Sequence, residues 1–132
     1  MSRLKYLLYY WFPVFIYCLL IFLQSSYPSP ETVPAVPHMD KILHFVVYGI
    51  LGILFFRAYH TLRIKNNVNL LIIISILSSG LYGISDELHQ YFVPYREAEL
   101  MDALSNLIGS IIGVTVYFLS MKKFRSPGLR KP

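Results

Sequence analysis

The sequence predicts an all-α fold, an integral membrane four-helix bundle with both termini on the cytoplasmic side. Three observations carry that expectation. Hydrophobic residues make up 55% of the 132-residue chain and charged residues only 14%, against about 25% charge in an ordinary soluble domain. A core of this size cannot hide so much apolar surface, so lipid is the expected solvent. The apolar residues also fall in four long runs, and the charges between those runs segregate by sign.

A single domain is expected over 1–132. Its first span, Tyr6 to Leu23, is an apolar run of 18 residues, long enough to cross about 30 Å of hydrocarbon. Pro13 is expected to bend it. The basic start resembles a secretory leader, but the run exceeds the usual apolar segment and "QSSYPSP" offers no A-x-A cleavage site. A retained helix is therefore expected. The proline-rich "YPSPETVPAVPH" (27–38) reads as an extended external loop. The second span runs from Ile42 to Tyr59, with Arg57 placed to snorkel toward the interface. "RIKNN" turns the chain into a third span, Val68 to Leu88. "YFVPYRE" turns it into a fourth, Leu100 to Met121, and a basic cytoplasmic tail (122–132) follows.

The N-terminus, the 57–67 loop and the tail share one side, which holds all but Lys41 and Arg96 of the 12 Lys and Arg. All 7 acids (Glu31, Asp40, Asp86, Glu87, Glu97, Glu99 and Asp102) fall on the other. Lys and Arg mark the cytoplasmic face, so both termini point inward. This map accounts for the net charge of +5 without nucleic acid: no zinc finger, aromatic RNA-binding motif or basic reading helix occurs. The single cysteine, Cys18, can form no internal disulfide.

Helical angles of about 100° per residue sort the third span. Leu77, Leu81, Ile84 and Leu88 form a lipid-facing stripe. Ser75, Ser79, Tyr82, Asp86 and Gln90 lie opposite and face protein, because an unpaired polar group in hydrocarbon costs several kcal/mol. Glu87 lies on the flank between, within reach of a neighbouring helix. On the fourth span Leu104, Leu107, Ile111 and Phe118 form the lipid side, with Asp102, Asn106, Gly109, Gly113 and Ser120 opposite. "GSIIG" has the GxxxG spacing that lets helices approach closely. Internal packing is its expected use, and an oligomer through Gly109 and Gly113 is the alternative. On the second span Asp40, His44 and Tyr48 share a quadrant, with Lys41 at its edge. By helical rise, His44 lies about 6 Å and Asn106 roughly 10 Å below the outer end. The polar residues therefore form a shallow cluster and not a path through the midplane.

These residues carry a resemblance. "MDKILHFVVYGILGILF" followed by "YGISDELHQYFVPYREAELMDALSNLIGSIIG" resembles the VanZ-like family, small membrane proteins named for a member associated with resistance to the glycopeptide teicoplanin. The likeness spans about residues 20–116 and includes the "SS" after the first span. Its pattern is Asp-Lys-x-x-His, then Asp-Glu-x-x-Gln, then Arg, then Asp and Asn before glycines. Here those positions are Asp40, Lys41, His44, Asp86, Glu87, Gln90, Arg96, Asp102, Asn106 and Gly109. Tyr95 departs from a position where the family often has glycine, and Glu99 from one where a small hydroxyl residue is common. The first departure bears on how tight that turn is; the second makes the pocket more acidic. The resemblance implies an envelope-related role in the bacterial cytoplasmic membrane and supplies no reaction.

A purely structural cluster would have Arg96 neutralise Asp86 or Asp102, Asn106 hold a helix terminus and His44 bond a carboxylate. Ionisable groups in spans are costly and usually functional, and packing alone does not need three carboxylates beside a histidine. A metal would draw on His44, Asp86, Glu87 and His89. However, Glu87 and His89 are two apart and share no helix face, and no H-E-x-x-H occurs, so no metal or cofactor is expected. The expected catalytic groups are His44, Asp86, Glu87 and Asp102, suited to acid–base work. Asp40, Lys41, Gln90, Arg96 and Asn106 are the expected ligand-binding groups, with Arg96 gripping phosphate or carboxylate. The expected partner is a membrane lipid or a lipid-linked envelope precursor, with glycopeptide tolerance as its consequence. Whether it catalyses or only binds is left open, with a slight lean toward binding. Rival classes are a small proton-coupled transporter, which needs an ionisable group near mid-membrane, and an assembly subunit without a ligand.

Overall fold

The structure, a computed structural model, describes residues 3–28, 38–96 and 98–125, save the side chains of Arg3 and Arg125. Four of its helices are long and apolar enough to cross a membrane, and the described residues contain no strand. Helix α1 (3–25) begins α-helical at Arg3–Tyr6, widens to a π-helical turn at Leu7–Trp11 and closes into an α-helix at Phe12–Ser25. Pro13 is the cause, because it lacks an N–H and its ring crowds the carbonyl of Tyr9 four residues back. Widening the turn relieves that clash.

Helices α2 (Met39–Tyr59), α3 (Val68–Tyr91) and α4 (Leu100–Arg125) follow. Each runs past its expected limit: α2 starts at Met39 rather than Ile42, α3 ends at Tyr91 rather than Leu88, and α4 ends at Arg125 rather than Met121. Charged residues at helix ends do not stop a helix. Asp40 and Asp102 lie in the first turns of α2 and α4, where a negative charge complements the helix dipole. A 3-10 turn, Arg63–Asn66, joins α2 to α3. The Asn67 side chain then caps α3 by accepting from the Leu70 N–H at 3.1 Å. The tail expected over 122–132 is helical as far as it is described. Residues 126–132, most of the 27–38 loop and Glu97 lie outside the described residues.

Helices α2 and α4 pack backbone to backbone. A Cβ on Gly109 would lie 2.8 Å from the carbonyl carbon of Phe45, and one on Gly113 would lie 2.8 Å from Cα of Gly49. The GxxxG spacing is thus used inside the chain. An oligomer through Gly109 and Gly113 would need this same face, which α2 already fills. On α3, Leu77, Leu81, Ile84 and Leu88 are each more than half exposed, while Ser75 and Ser79 are fully buried. One residue departs from its expected side: Phe118 packs against Phe56, with ring centroids 6.3 Å apart. It stands one turn beyond buried Val114 (i, i+4) and so shares that residue's side. Helix α1 is the least buried of the four. Tyr17 Oη donates to Val47 O (3.2 Å) and Tyr82 Oη to Cys18 O (2.6 Å), tying it to α2 and α3.

Candidate functional site

Four helix ends meet at the end of the bundle away from the N-terminus. Helix α2 contributes Asp40, His44 and Tyr48, spaced i, i+4, i+8 along one face. The last turns of α3 contribute Asp86, Glu87 and Gln90; the first turns of α4 contribute Asp102 and Asn106. These side chains fall into three adjoining groups.

The first group centres on Asp86. Tyr48 Oη donates to its Oδ2 at 2.9 Å, and Gln90 Nε2 donates to the same oxygen at 3.2 Å. All three residues are buried. Gln90 Nε2 also reaches Ser25 Oγ of α1 at 3.4 Å.

The second group is cationic at its centre. Lys41 Nζ lies 2.9 Å from Asp40, 2.8 Å from Glu99 and 3.3 Å from Asp102. A purely structural cluster would pair Arg96 with Asp86 or Asp102, and the structure shows no such pair. Among the described residues no carboxylate pairs with it. Its Nε donates to Tyr27 O and its NH2 to Gln24 O, both at 2.9 Å, and its NH1 donates to Gln90 Oε1 at 3.4 Å. The physical reason is twofold. Tyr95 takes a left-handed φ of 64°, which turns the chain back after α3, and the carbonyls of Gln24, in the last turn of α1, and of Tyr27, just beyond it, have no partner within that helix. Tyr95 keeps the turn tight without glycine, at a cost of about 1–2 kcal/mol. The extra acid at Glu99 is held by Lys41.

The third group is His44, Glu87 and Asn106. His44 Nδ1 donates to Asn106 Oδ1 at 3.0 Å and lies 3.6 Å from Glu87 Oε1. Both oxygens of Glu87 are buried without a hydrogen bond. The Glu99 backbone N–H points toward them but falls short of bonding geometry. Asn106 Nδ2 and Asp102 Oδ1 are likewise buried and unbonded, although Asp102 Oδ1 keeps its ion pair with Lys41. His89 turns away to α1, 3.0 Å from Ser26 Oγ and against the Phe22 ring.

Beside these groups a cavity of about 490 Å³ opens between α1 and α2. Leu20, Ile21, Leu43 and Val47 form its apolar wall; Asp40, His44, Asp86 and Arg96 form its polar end. Of the nine expected site residues, then, four line the cavity. Glu87, Gln90, Asp102, Asn106 and Lys41 stand behind or beside it. A smaller cavity, about 180 Å³, lies at the opposite end near His60, Lys65 and Lys122; none of its lining residues is acidic.

A comparison with known protein families matches residues 10–121 to VanZ/LLP1. The chain belongs to the VanZ/LLP1 family. It is also similar to an uncharacterized protein of Schizosaccharomyces pombe, C11E3.10, with 29% identity over 111 residues. That match covers 83% of this chain and 64% of the relative, so the chain spans less than two thirds of the relative's length. No solved structure matches. Family and helices together make this VanZ-like chain a multi-pass membrane protein.

Several residues of this VanZ-like site escaped the pattern reading. Tyr48 sat on the correct face without an assigned role, yet it is the closest donor to Asp86. Ser25 and the carbonyls of Gln24 and Tyr27 bring α1 into the site, and backbone acceptors leave no trace in side-chain periodicity. Ser110, fully buried, donates to Ser79 Oγ at 2.7 Å. Its signal was available, one turn beyond Asn106. Chemically, the arrangement offers a carboxylate held by two donors, a histidine oriented by an amide, an unbonded carboxylate and a guanidinium at the rim.

Proposed function

We propose that this VanZ-like protein holds the polar head group of an envelope lipid or lipid-linked precursor, with both termini on the cytoplasmic side and the site on the outer face. In a bacterium this places it in the cytoplasmic membrane and links it to tolerance of teicoplanin-type glycopeptides. One observation carries the reading. The cavity joins an apolar wall, able to take hydrocarbon chain, to a polar end where Arg96, His44 and Asp86 converge, and its size falls within the usual ligand range of about 300–1,000 Å³. Arg96 is fixed in place by α1 carbonyls and still has N–H groups for phosphate or carboxylate. His44, Asp86, Glu87 and Asp102 are the groups that would move protons on such a ligand. Transport fits less well: α1 contributes no acid or histidine, and the buried carboxylates of the described residues gather at one end.

The test is deletion in the source organism, followed by teicoplanin sensitivity and a full lipid inventory. Accumulation or loss of a lipid species, restored by wild type but not by Arg96→Ala, is expected. Unchanged sensitivity together with an unchanged inventory overturns the proposal.

A further inference from the structure

We propose that His44, Asp86 and Glu87 bind a divalent transition-metal ion of the zinc or manganese class, at the wall of the cavity. A ring nitrogen of His44 and one oxygen from each carboxylate lie within 4.8 Å of one another. Glu87 supplies the independent observation. It is 7% exposed, and both of its oxygens are buried with no hydrogen bond. A carboxylate in that state, beside a second carboxylate, wants a cation.

The neighbouring acids show how this chain otherwise meets that need. Asp40, Glu99 and Asp102 also gather within 4.8 Å, and there Lys41 Nζ sits among them at 2.8–3.3 Å. No ion pair of the described residues joins a lysine or arginine to Asp86 or Glu87, and the one basic group beside Glu87 is His44. The surroundings suit a ligand set. Asn106 orients the His44 ring; Tyr48 and Gln90 both donate to Oδ2 of Asp86, which leaves Oδ1 for an ion. Such outer partners orient metal ligands. Zinc bonds of about 2.0–2.2 Å require the ligand atoms to draw together, and Glu87 is held by no bond that would resist. One imidazole with two carboxylates favours zinc or manganese over magnesium or calcium, which prefer oxygen alone. Three protein ligands leave positions open to water or a ligand oxygen, on the side where His44 and Asp86 line the cavity.

This inference goes beyond the head-group reading and does not depend on it. The test uses the full chain in mild detergent, stripped by chelator and titrated calorimetrically with Zn²⁺, Mn²⁺ and Mg²⁺, with thermal melting in parallel. One equivalent of Zn²⁺ or Mn²⁺ is expected to bind and to raise the wild-type melting temperature. Glu87→Gln should weaken binding more than about a hundredfold, beyond the about 10–100-fold that loss of an outer partner costs; Asn106→Ala should fall within that lower range. Metal-free Glu87→Gln should melt at or above metal-free wild type, because it removes a buried unbonded charge, and should gain nothing from zinc. Three results overturn the proposal: no saturable uptake of either ion by wild type, uptake unchanged in Glu87→Gln, or preference for Mg²⁺. A lower melting temperature for metal-free Glu87→Gln, with no metal uptake by wild type, would show instead that a His44–Glu87 ion pair fills the site. No lipid enters this titration, so the two readings fail separately.

Discussion

A methyl group at Gly109 should drive α2 and α4 apart. The added Cβ would stand 2.9 Å from Cα of Phe45 and 2.8 Å from its carbonyl carbon, with the carbonyl oxygen nearer still. Carbon contacts relax at about 3.5–4.0 Å, so the helices must separate by on the order of 1 Å. A gap of about 0.5–1 Å forfeits a quarter to a half of each contact's attraction, and backbone cannot rotate aside as a side chain can. Overpacking costs about 1–3 kcal/mol, and backbone contact points to the upper part of that range. Alanine recovers about 0.5–1 kcal/mol through its helix preference. The net expectation for Gly109→Ala is a loss of about 2 kcal/mol. Gly80→Ala is the control: its Cβ meets only Leu107 Cδ1, at 3.2 Å, which can shift, so stability should hold or rise slightly. Thermal melting or SDS titration in detergent measures both. Gly109→Ala as stable as wild type, or Gly80→Ala the more damaging change, would refute the packing argument. The same substitution should weaken zinc binding, because the His44–Asn106 contact of 3.0 Å spans this crossing.

Five further substitutions probe the site. Tyr95→Gly should stabilise the fold by up to about 1 kcal/mol, since Tyr95 holds a φ of 64° while 87% exposed; a lower melting temperature would show that its ring makes contacts worth more than the backbone relief. Tyr48→Phe removes a buried donor from Asp86 and should cost about 1.5–3 kcal/mol, read by equilibrium unfolding; a change too small to measure would mean Gln90 alone satisfies Asp86. Lys41→Met should lower the melting temperature, and adding Asp102→Asn should restore part of the loss, whereas strictly additive effects would argue that the two are not coupled. Arg96→Ala should speed amide exchange in the last turn of α1 and leave the rest of the bundle protected; unchanged exchange there would sink the anchoring role assigned to Arg96.

How much of this was legible in the sequence depended on which solvent sorted each residue. The α3 stripe of Leu77, Leu81, Ile84 and Leu88 could be read directly, because lipid on one face and protein on the other impose a 3.6-residue period. The glycines of α4 were legible for the same reason. Most helix ends were not: Asp40 looks like a loop residue to a hydropathy count, yet it sits in the first turn of α2, whereas the start of α4 at Leu100 was legible. The pairing of cations was also hidden. Lys41 and Arg96 are the two basic residues on the acidic side, and nothing in the spacing says which one meets the carboxylates. The left-handed turn at Tyr95 decides it by sending Arg96 to the carbonyls of α1. Phe118 was misplaced because a stripe drawn from Leu104 drifts over four turns, and its i, i+4 relation to buried Val114 decides the side.

The cavity lies where the bundle changes from tightly to loosely packed. Helices α2 and α4 are locked where Gly109 and Gly113 let the backbones meet, so closely that a Cβ there would stand 2.8 Å from α2 backbone carbon, and α3 joins them through Ser79 Oγ, which donates to Tyr48 O at 3.1 Å, and through Ser110. Helix α1 has no such lock. Two tyrosine hydroxyls hold its middle, while Ser25, Gln24 and Tyr27 hold its end through Gln90 and Arg96. The width of the opening between α1 and α2 is therefore governed by those end contacts more than by the core. Gln90 touches all three partners: it donates to Asp86 and Ser25 and accepts from Arg96. A ligand anion that drew Arg96 inward would release Gln24 and Tyr27 and shift Gln90, so binding at the rim and the hydrogen bonding of buried Asp86 are joined through one amide side chain.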